Sequence, residues 1–356
     1  RASAPLKIMQ GNSQNCKASL ASAAVRADPK LNPQLIVCIL GSKTNGLSGL
    51  YADIKKICLT DLGINSQCFQ SKEIGGPLWK QICYNAALKI NGKLGGTNSR
   101  LIPKQLDFKG AKPYMVIGAD VFHPSIEDKK KGRPSVAGLV ASMDPYATKY
   151  VGRYSMNKKL KNEVIEEIGS IIIDFVKVFF EESNKKYLPQ AILFYRDGVA
   201  EGQFEIIIEH EVNKLLDELK SFYQSPKPKD ESDADPKGNG NCQPGTVIDK
   251  DIVVPQYFTF YLQSHSSPLG TARSAYYHVI YDEIGFSQDE MHTLTYNLCF
   301  SSVRCNLSLS MVTPLHYAHN LANLAKNLVT YDEFPPKAAG RRSAPTPDPE
   351  FVKNGK

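Results

Sequence analysis

The chain has 356 residues and a formal net charge of +7, a length sufficient for about two globular domains with sizeable cores. Its eight cysteines include no C-x-x-C pair, which argues against both a zinc site and a disulfide framework. No signal peptide opens the sequence and no apolar run approaches the roughly 20 residues of a membrane span, so we expect a soluble, cytoplasmic protein without membrane contact.

The basic charge is concentrated at the N-terminal end. Residues 1–112 carry 16 Lys and Arg against 5 Asp and Glu, whereas the remainder carries 27 against 31. A basic lobe beside a slightly acidic one predicts that a polyanion binds mainly to the first lobe, with acidic residues gathered where a metal is needed. Composition alone leaves open a basic surface that is merely solvated.

The first part of the chain alternates strands and helices. In order, the predicted elements are a buried strand at 35–40, a loop at 41–49, a helix at 50–62, a strand at 65–70, and a helix opened by Gly75-Gly76-Pro77 and closed by Gly95-Gly96. This alternation is typical of a doubly wound α/β domain.

Two pairs of residues with helical spacing stand on these helices. Lys89 and Lys93 are four residues apart, so their ammonium groups share one helix face and can bind one phosphate together. Tyr51 and Lys55 repeat the spacing, and a ring next to a cation suits a terminal nucleotide with a stacked base. Lysine pairs on a helix are also common on solvated surfaces, which is the alternative interpretation.

A proline-bounded linker at 101–113 leads into a second region of strands. The predicted elements are strands at 114–120, 135–143 and 149–154, a turn at 129–132, and a helix at about 157–182. Apolar residues at helical spacing predict the buried face of that helix: Leu160, Val164, Ile168, Ile171, Phe175 and Phe179.

Asp120 and Asp197 each stand where a hydrophobic run ends. The runs at 114–117 and 191–195 predict buried strands, so both carboxylates should emerge together at one edge of a sheet. Two such aspartates can share two divalent ions about 3.5–4 Å apart, which stabilise the attacking and leaving oxygens of a phosphodiester. An aspartate at a strand end can also be a simple turn former.

Acidic residues Glu163, Glu166 and Glu167 are predicted on the first turns of the long helix. The helix dipole favours negative charge there, so a purely local role is open for all three.

The sequence resembles the C-terminal half of the Argonaute family. The matching segments of the second region are G-A-D-V-F-H-P at 118–124, Y-R-D-G-V-A-E-G-Q-F at 195–204, V-R-C at 303–305 and Y-A-H at 317–319. In the first region they are Y-A-D-I-K at 51–55, S-Q-C-F-Q at 66–70 and L-K-I-N-G-K-L-G-G at 88–96. A fungal quelling-type Argonaute would fit this pattern.

The resemblance implies an α/β architecture: a doubly wound, Rossmann-like MID domain over 1–112, followed by an RNase H-like PIWI domain over 113–356. No PAZ-like region precedes the MID-like part, so we expect a fragment of a longer Argonaute.

The resemblance also implies functional residues. The catalytic residues would be Asp120, Glu163, Asp197 and His319, with Asp120, Asp197 and His319 binding Mg²⁺ or Mn²⁺. The pocket for the guide 5′ phosphate and first nucleotide would contain Tyr51, Lys55, Gln67, Lys89, Lys93 and Lys326. Contacts to the guide backbone would come from His265, Arg273, Arg304, Ser310 and Tyr317. A lone histidine such as His319 can equally be structural.

Three features depart from the family pattern. Leu324 stands where an arginine often follows the catalytic histidine, and Lys326 is the nearest basic residue. A basic strand segment expected before Thr246 is replaced by 224–245, a Pro-, Lys-, Asp- and Gly-rich stretch that predicts disorder. Residues 335–349 are rich in proline and glycine and predict a loop.

The function that these patterns favour is a small-RNA-guided endoribonuclease. Its partners would be a small guide RNA with a 5′ phosphate, a complementary target RNA and proteins of a silencing complex. Base pairing would select the target, so the protein need only recognise backbone shape and 2′-hydroxyls. A guide-loaded scaffold that silences without cleavage is the main alternative; an RNase H-like recombinase or integrase would not explain the N-terminal phosphate pocket.

Overall fold

The structure is a computed structural model that describes residues 10–11, 14–24, 33–41, 47–106, 110, 113–126, 134–157, 163–222, 243–250, 252–254, 257–267 and 272–328. They divide into two compact units: the first contains the residues up to Asn98 and those from Asn327 on, and the second contains Ser99 to Lys326. Four predictions lie outside the described residues: the turn at 129–132, the burial of Leu160, most of the stretch at 224–245 and the loop at 335–349.

The first unit is built on a two-stranded parallel sheet. Its elements are α1 (Cys16–Ala24), β1 (Leu35–Leu40), α2 (Leu47–Lys56), β2 (Asn65–Gln70) and α3 (Trp79–Lys93). Both predicted strands are confirmed with their bounds, and both predicted helices are present. The first of these helices begins at Leu47, within the predicted loop at 41–49, and continues after Lys56 as a π-helix to Asp61. The helix α1 was not predicted, because its Ala- and Ser-rich sequence has only two buried residues, Cys16 and Leu20, to indicate a packed face.

The second unit contains a four-stranded mixed sheet. Its strands are β3 (Tyr114–Phe122), β4 (Ser135–Ser142), β5 (Tyr150–Asn157) and β6 (Ala191–Arg196), in the order β5-β4-β3-β6. The strand β6 is parallel to β3 and the other pairs are antiparallel. The predicted strands are confirmed, but β3 continues past Asp120 because Phe122 still pairs with Val136.

The long helix of this unit, α4 (Ile168–Glu182), begins later than predicted. Glu163 and Glu166 precede it and Glu167 is its N-cap residue, so the placement of these acids on its first turns was wrong. Backbone groups that a helix would use are bonded elsewhere: Ile165 N donates to the Glu211 carboxylate at 2.8 Å. The Glu166 carbonyl likewise accepts from Lys214 Nζ at 2.7 Å.

The apolar face of α4 packs as predicted. Ile168, Ile171, Phe175 and Phe179 are all buried, and they share a core with inward residues of β3 and β4. Val164 is buried too, although it precedes the helix.

The remaining elements complete the second unit. They are α5 (Phe204–Ile207) and α6 (Asn213–Phe222) joined by a π-helical turn, an antiparallel sheet of β7 (Thr246–Ile248), β8 (Phe258–Gln263) and β9 (Ala275–Val279), then α7 (Gln288–Leu298) and α8 (Thr313–Leu328). Each helix in the described ranges is too short or too polar to cross a lipid bilayer.

Two strand glycines let α8 lie directly against the four-stranded sheet. A Cβ built on Gly118 of β3 would come within 2.3 Å of the Pro314 carbonyl carbon, and one on Gly138 of β4 within 2.6 Å of Ala322 N. Any larger residue would push the helix backbone away from the strands. The close approach places the middle of α8 over Asp120, which is paired with Gly138.

Candidate functional site

Asp120 lies in β3 and Asp197 directly follows β6, the parallel strand beside it, so the two residues are close together as predicted. Ala119 is in register with Arg196, and Asp197 N donates a hydrogen bond to Ala119 O at 2.9 Å. Burial raises the pKa of Asp120, and the negative charge of Asp197 raises it further, whereas His319 and Arg196 oppose the shift. Two carboxylates held this way favour a bound cation.

The helix α8 brings His319 to this carboxylate pair. His319 Nδ1 lies 3.0 Å from Asp120 Oδ2, and Nε2 lies 3.0 Å from the side-chain amide nitrogen of Asn323. Because an amide NH₂ can only donate, we assign the imidazole proton to Nδ1, where it is donated to Asp120. The imidazole is half exposed, so it can be reached from solvent.

Glu163 lies on the loop before α4, close to the turn after β6. Its Oε1 is 2.6 Å from His123 Nε2, and His123 Nδ1 is 2.8 Å from Ser135 Oγ. A Cβ built on Gly198 would be 4.0 Å from Glu163 Oε2, which places the carboxylate beside the residue that follows Asp197. Gly198 has φ of +78°, a left-handed conformation that suits glycine and turns the chain sharply after the aspartate.

A buried ion pair that sequence reasoning missed supports both segments. Arg196 Nε lies 3.4 Å from Glu211 Oε2, and the side chains are only 6% and 1% exposed. The Arg196 guanidinium also donates to the backbone carbonyls of Glu163 and Asp197. Burial raises the pKa of Glu211, and the charge of Arg196 opposes that rise. The pair therefore connects the loop of Glu163 with the end of β6.

Two of these three supporting residues could have been predicted from the sequence, and the third could not. His123 and Arg196 fall inside the segments that carry the family resemblance, next to the predicted aspartates, and could have been found there. Glu211 lies on a charged helix, where nothing in the pattern separates it from its exposed neighbour Glu209.

The donor atoms at this site are of the type that binds a divalent metal. Asp120 and Asp197 offer carboxylate oxygens, the ligands that Mg²⁺ and Mn²⁺ prefer. Within the described ranges, no three His, Cys, Asp or Glu side chains are grouped closely enough to form a ready metal centre. The site therefore suits a divalent cation for two reasons: it offers two carboxylates, and a bound cation would relieve the repulsion between them.

A second cluster lies in the first unit, where two lysines converge on β2. Lys55 Nζ donates to Ser66 O and Ser66 Oγ, both at 2.8 Å, and Lys93 Nζ donates to Ser66 O and Gln67 Oε1, both at 2.7 Å. Two ammonium groups on one carbonyl oxygen form a concentrated positive charge. Ser66 was not predicted, although it lies within the S-Q-C-F-Q segment.

The other predicted pocket residues of this unit stand near that cluster. Lys55 Nζ lies 5.4 Å from the centre of the Tyr51 ring, which is 42% exposed and can stack with a base. Lys89 is half-buried on α3, one turn before Lys93, as its spacing requires.

Lys326 belongs to the second unit, near the end of α8. Its Nζ lies 4.2 Å from the centre of the Phe122 ring and 3.2 Å from Asn323 Oδ1. Leu324 stands on the same helix. A part for Lys326 in the phosphate pocket remains a prediction.

The five residues predicted to contact a guide backbone all lie in the second unit: His265, Arg273, Arg304, Ser310 and Tyr317. Ser264 Oγ donates to Leu309 O at 2.6 Å, so the segments carrying His265 and Ser310 are neighbours. Ser274 Oγ donates to Gln263 Oε1 at 3.0 Å, which brings the segment of Arg273 alongside them.

Tyr317 has a structural role in addition to any contact with a ligand. Its hydroxyl accepts a hydrogen bond from Val303 N at 2.9 Å, and burial raises the pKa of Tyr317. It therefore holds the loop that carries Arg304.

Comparisons with known proteins agree on one family. A family profile described as "Piwi domain" matches residues 35–330. The chain is 38% identical over 312 residues to "Protein argonaute 3" of Oryza sativa subsp. japonica, covering 83% of this chain and 27% of that protein. It is 37% identical over 327 residues to "Protein argonaute 5" of Arabidopsis thaliana, covering 82% and 32%.

A solved structure agrees as well. The Argonaute of Kluyveromyces polysporus, determined with a guide RNA, superposes with a TM-score of 0.73 at 26% identity, covering 83% of this chain and 38% of that one. The chain thus spans about a third or less of the length of these curated relatives.

Proposed function

Because this chain belongs to the Argonaute family, with a Piwi-domain match over most of its length, we propose that it holds a small guide RNA by its 5′ phosphate and acts on complementary RNA. The observation that carries this proposal is the convergence of Lys55 and Lys93 on Ser66 beside an exposed Tyr51 ring. The Argonaute determined with a guide RNA adds support through its similar fold.

The lysine cluster explains why a terminal phosphate would be preferred. A 5′-terminal phosphate carries more negative charge than an internal one, and charge-assisted hydrogen bonds are about twice as strong as neutral ones. The Gln67 amide lies within the same cluster and can donate once a phosphate oxygen replaces its present partners. Tyr51 would stack on the first base.

We expect the chain to bind a 5′-phosphorylated single strand much more tightly than the same strand with a 5′ hydroxyl. The Lys89→Ala, Lys93→Ala double variant should lose this preference. The slope of its log–log salt dependence should flatten by about 0.7 for each phosphate that the variant no longer neutralises. Binding titrations at several salt concentrations measure both effects.

Lys72→Ala with Lys80→Ala is the matched control, because it removes the same charge from exposed positions, one of them on α3 itself. The pocket assignment would be wrong if both double variants lost the same affinity for the 5′-phosphorylated strand, or if the parent chain bound both strands equally well.

We further propose that the second unit cleaves the paired target, with Asp120, Asp197 and His319 as ligands of Mg²⁺ or Mn²⁺. When bound, such ions activate water and stabilise charge on the phosphodiester oxygens. To bind such an ion, His319 would exchange its hydrogen bond with Asp120 or with Asn323 for the metal, because each ring nitrogen has a hydrogen-bond partner. The Arg196 guanidinium donates to the backbone carbonyls of Asp197 and Glu163. It therefore holds the two backbone segments that carry these carboxylates next to each other.

Among the three glutamates before α4, we expect only Glu163→Gln to abolish cleavage. The Glu163 carboxylate contacts His123 and lies beside Gly198, whereas Glu167 is exposed and Glu166 is held through its backbone carbonyl. Glu166→Gln and Glu167→Gln should retain most activity, with stability changes of about 0.3–1 kcal/mol. Single-turnover cleavage rates compare them, and equal, mild effects at all three positions would remove Glu163 from the catalytic set.

A guide-loaded scaffold that does not cleave is the second candidate. It is favoured by one observation, the lack of a ready three-donor metal group in the described part of the chain. Guide binding needs only the lysine cluster, so tight phosphate-dependent binding with no cut target in Mg²⁺ would select this candidate.

A further inference from the structure

Two cysteines face each other across the parallel sheet of the first unit. Cys38 of β1 is in register with Cys68 of β2. Neighbouring strands lie about 4.7–4.9 Å apart, which falls within the Cα separations of about 4.4–6.8 Å that a disulfide requires. Each thiol is only partly buried, and each shifts the pKa of the other. The backbone therefore holds the pair in reach of a covalent bond.

The surroundings make these two thiols unequal. Cys68 lies two residues after Ser66, where Lys55 and Lys93 converge, and alternate strand residues share one face. The hydrogen bond from Cys38, and then the charges of Lys55 and Lys93, lower the pKa of Cys68 to about 7. The same hydrogen bond raises the pKa of Cys38. The negative charge is therefore placed on Cys68, while Cys38 keeps its proton.

The other described cysteines of this unit differ in a way that provides controls. Cys16 and Cys58 are buried, and burial raises the pKa of both thiols, so they should be inert. Cys83 is exposed on α3. It is accessible to the same reagents as Cys68.

We propose that Cys68 is a site of oxidation by hydroperoxides and that Cys38 resolves the product as a disulfide across β1 and β2. The Cys68 thiolate attacks the peroxide: an S–O bond forms, the O–O bond breaks, and the leaving alkoxide or hydroxide takes a proton from water. Cys38 Sγ then attacks Cys68 Sγ; the S–S bond forms and the S–O bond breaks. The departing hydroxide leaves as water with the proton from Cys38. Two thiols are oxidised and one hydroperoxide is reduced.

The site is linked to the phosphate pocket, a step that rests on the proposed function. A 5′ phosphate and the Cys68 thiolate would share the charges of Lys55 and Lys93. Binding of the phosphate should therefore disfavour the thiolate and slow its oxidation, and by reciprocity the oxidised pair, which lacks that negative charge, should bind the phosphate more tightly.

The test treats the reduced chain with hydrogen peroxide, blocks remaining thiols, and identifies disulfide-linked peptides by mass spectrometry. We expect one peptide pair containing Cys38 and Cys68. Cys68 should react about three- to tenfold faster than an ordinary exposed thiol such as Cys83, because its larger thiolate fraction outweighs its lower nucleophilicity. In Cys38→Ser protein, Cys68 should stop at the sulfenic acid, which dimedone traps, and in Cys68→Ser protein Cys38 should stay reduced.

Oxidation of Cys68 no faster than that of Cys83, or a disulfide to any other cysteine, would overturn the inference. The reaction is then repeated with a 5′-phosphorylated strand and with its 5′-hydroxyl counterpart. Slower oxidation with the phosphorylated strand alone supports the link to the pocket. A disulfide that forms at one rate with either strand overturns that link and leaves the oxidation site standing. Tight phosphate binding without any disulfide overturns the oxidation site and leaves the proposed function intact.

Discussion

Asp120→Asn and Asp197→Asn should each reduce target cleavage by at least about a hundredfold, equivalent to about 3 kcal/mol in the transition state. Each substitution keeps the shape of the side chain and removes a charge that a divalent ion needs. Asp120 lies in β3 and Asp197 directly follows the adjacent β6, and burial together with the charge of Asp197 raises the pKa of Asp120, so neither carboxylate replaces the other. Single-turnover cleavage with a pre-loaded guide measures the effect.

Guide affinity should be nearly unchanged in both variants, because the lysine cluster belongs to the other unit. Asp217→Asn is the matched control: it removes an exposed carboxylate from α6 in the same unit. Cleavage by Asp197→Asn protein at the parental rate would show that the two-carboxylate assignment is wrong.

Glu211→Gln should lower the free energy of unfolding by about 3 kcal/mol, because the buried Arg196 charge would keep only the more distant and more exposed Glu163 carboxylate as its partner. The glutamine side chain can still accept the hydrogen bond from Ile165 N. The measured effect therefore reports the charge interaction between Arg196 and Glu211 alone. Urea unfolding with an unchanged m-value measures the difference. Because Arg196 also holds the Glu163 loop, cleavage should fall together with stability.

Glu209→Gln provides the comparison for this change. Glu209 lies two residues earlier in the same π-helical turn, and its side chain is 75% exposed. Its substitution should change stability by no more than about 0.5 kcal/mol. Similar small shifts at both positions would mean that the Arg196–Glu211 pair does not support the site.

Local patterns predicted much of the fold. The strand at 35–40 was predicted with its bounds because L-I-V-C-I-L is a short apolar run that ends at Gly41. The strand at 65–70 is largely polar, and its place in the alternation of strands and helices predicted it. The α/β class and the Argonaute relationship are confirmed. Membership of the fungal quelling type and the exact domain boundary remain predictions.

Interactions between positions far apart in the chain could not be predicted from the sequence. The start of α4 was misplaced because Ile165 N bonds to Glu211, 46 residues further along the chain. The Arg196–Glu211 ion pair was not predicted either, because it also joins residues from different segments of the chain. Helical periodicity cannot show that a backbone amide has a better partner elsewhere in the fold. Asp120 and Asp197 were found because residues near the carboxyl ends of neighbouring parallel strands lie close together, and the apolar run before each aspartate indicates such a strand.

Target cleavage by the guide-loaded protein separates the two candidate functions: the protein, loaded with a 5′-phosphorylated guide, is incubated with an end-labelled complementary RNA in Mg²⁺ or in chelator. The proposal predicts a single cut within the paired region in Mg²⁺, no cut in chelator, and no cut when the guide carries a 5′ hydroxyl at limiting concentration. An intact target in Mg²⁺, while filter binding shows guide and target held on the protein, would contradict cleavage and leave a guide-loaded scaffold.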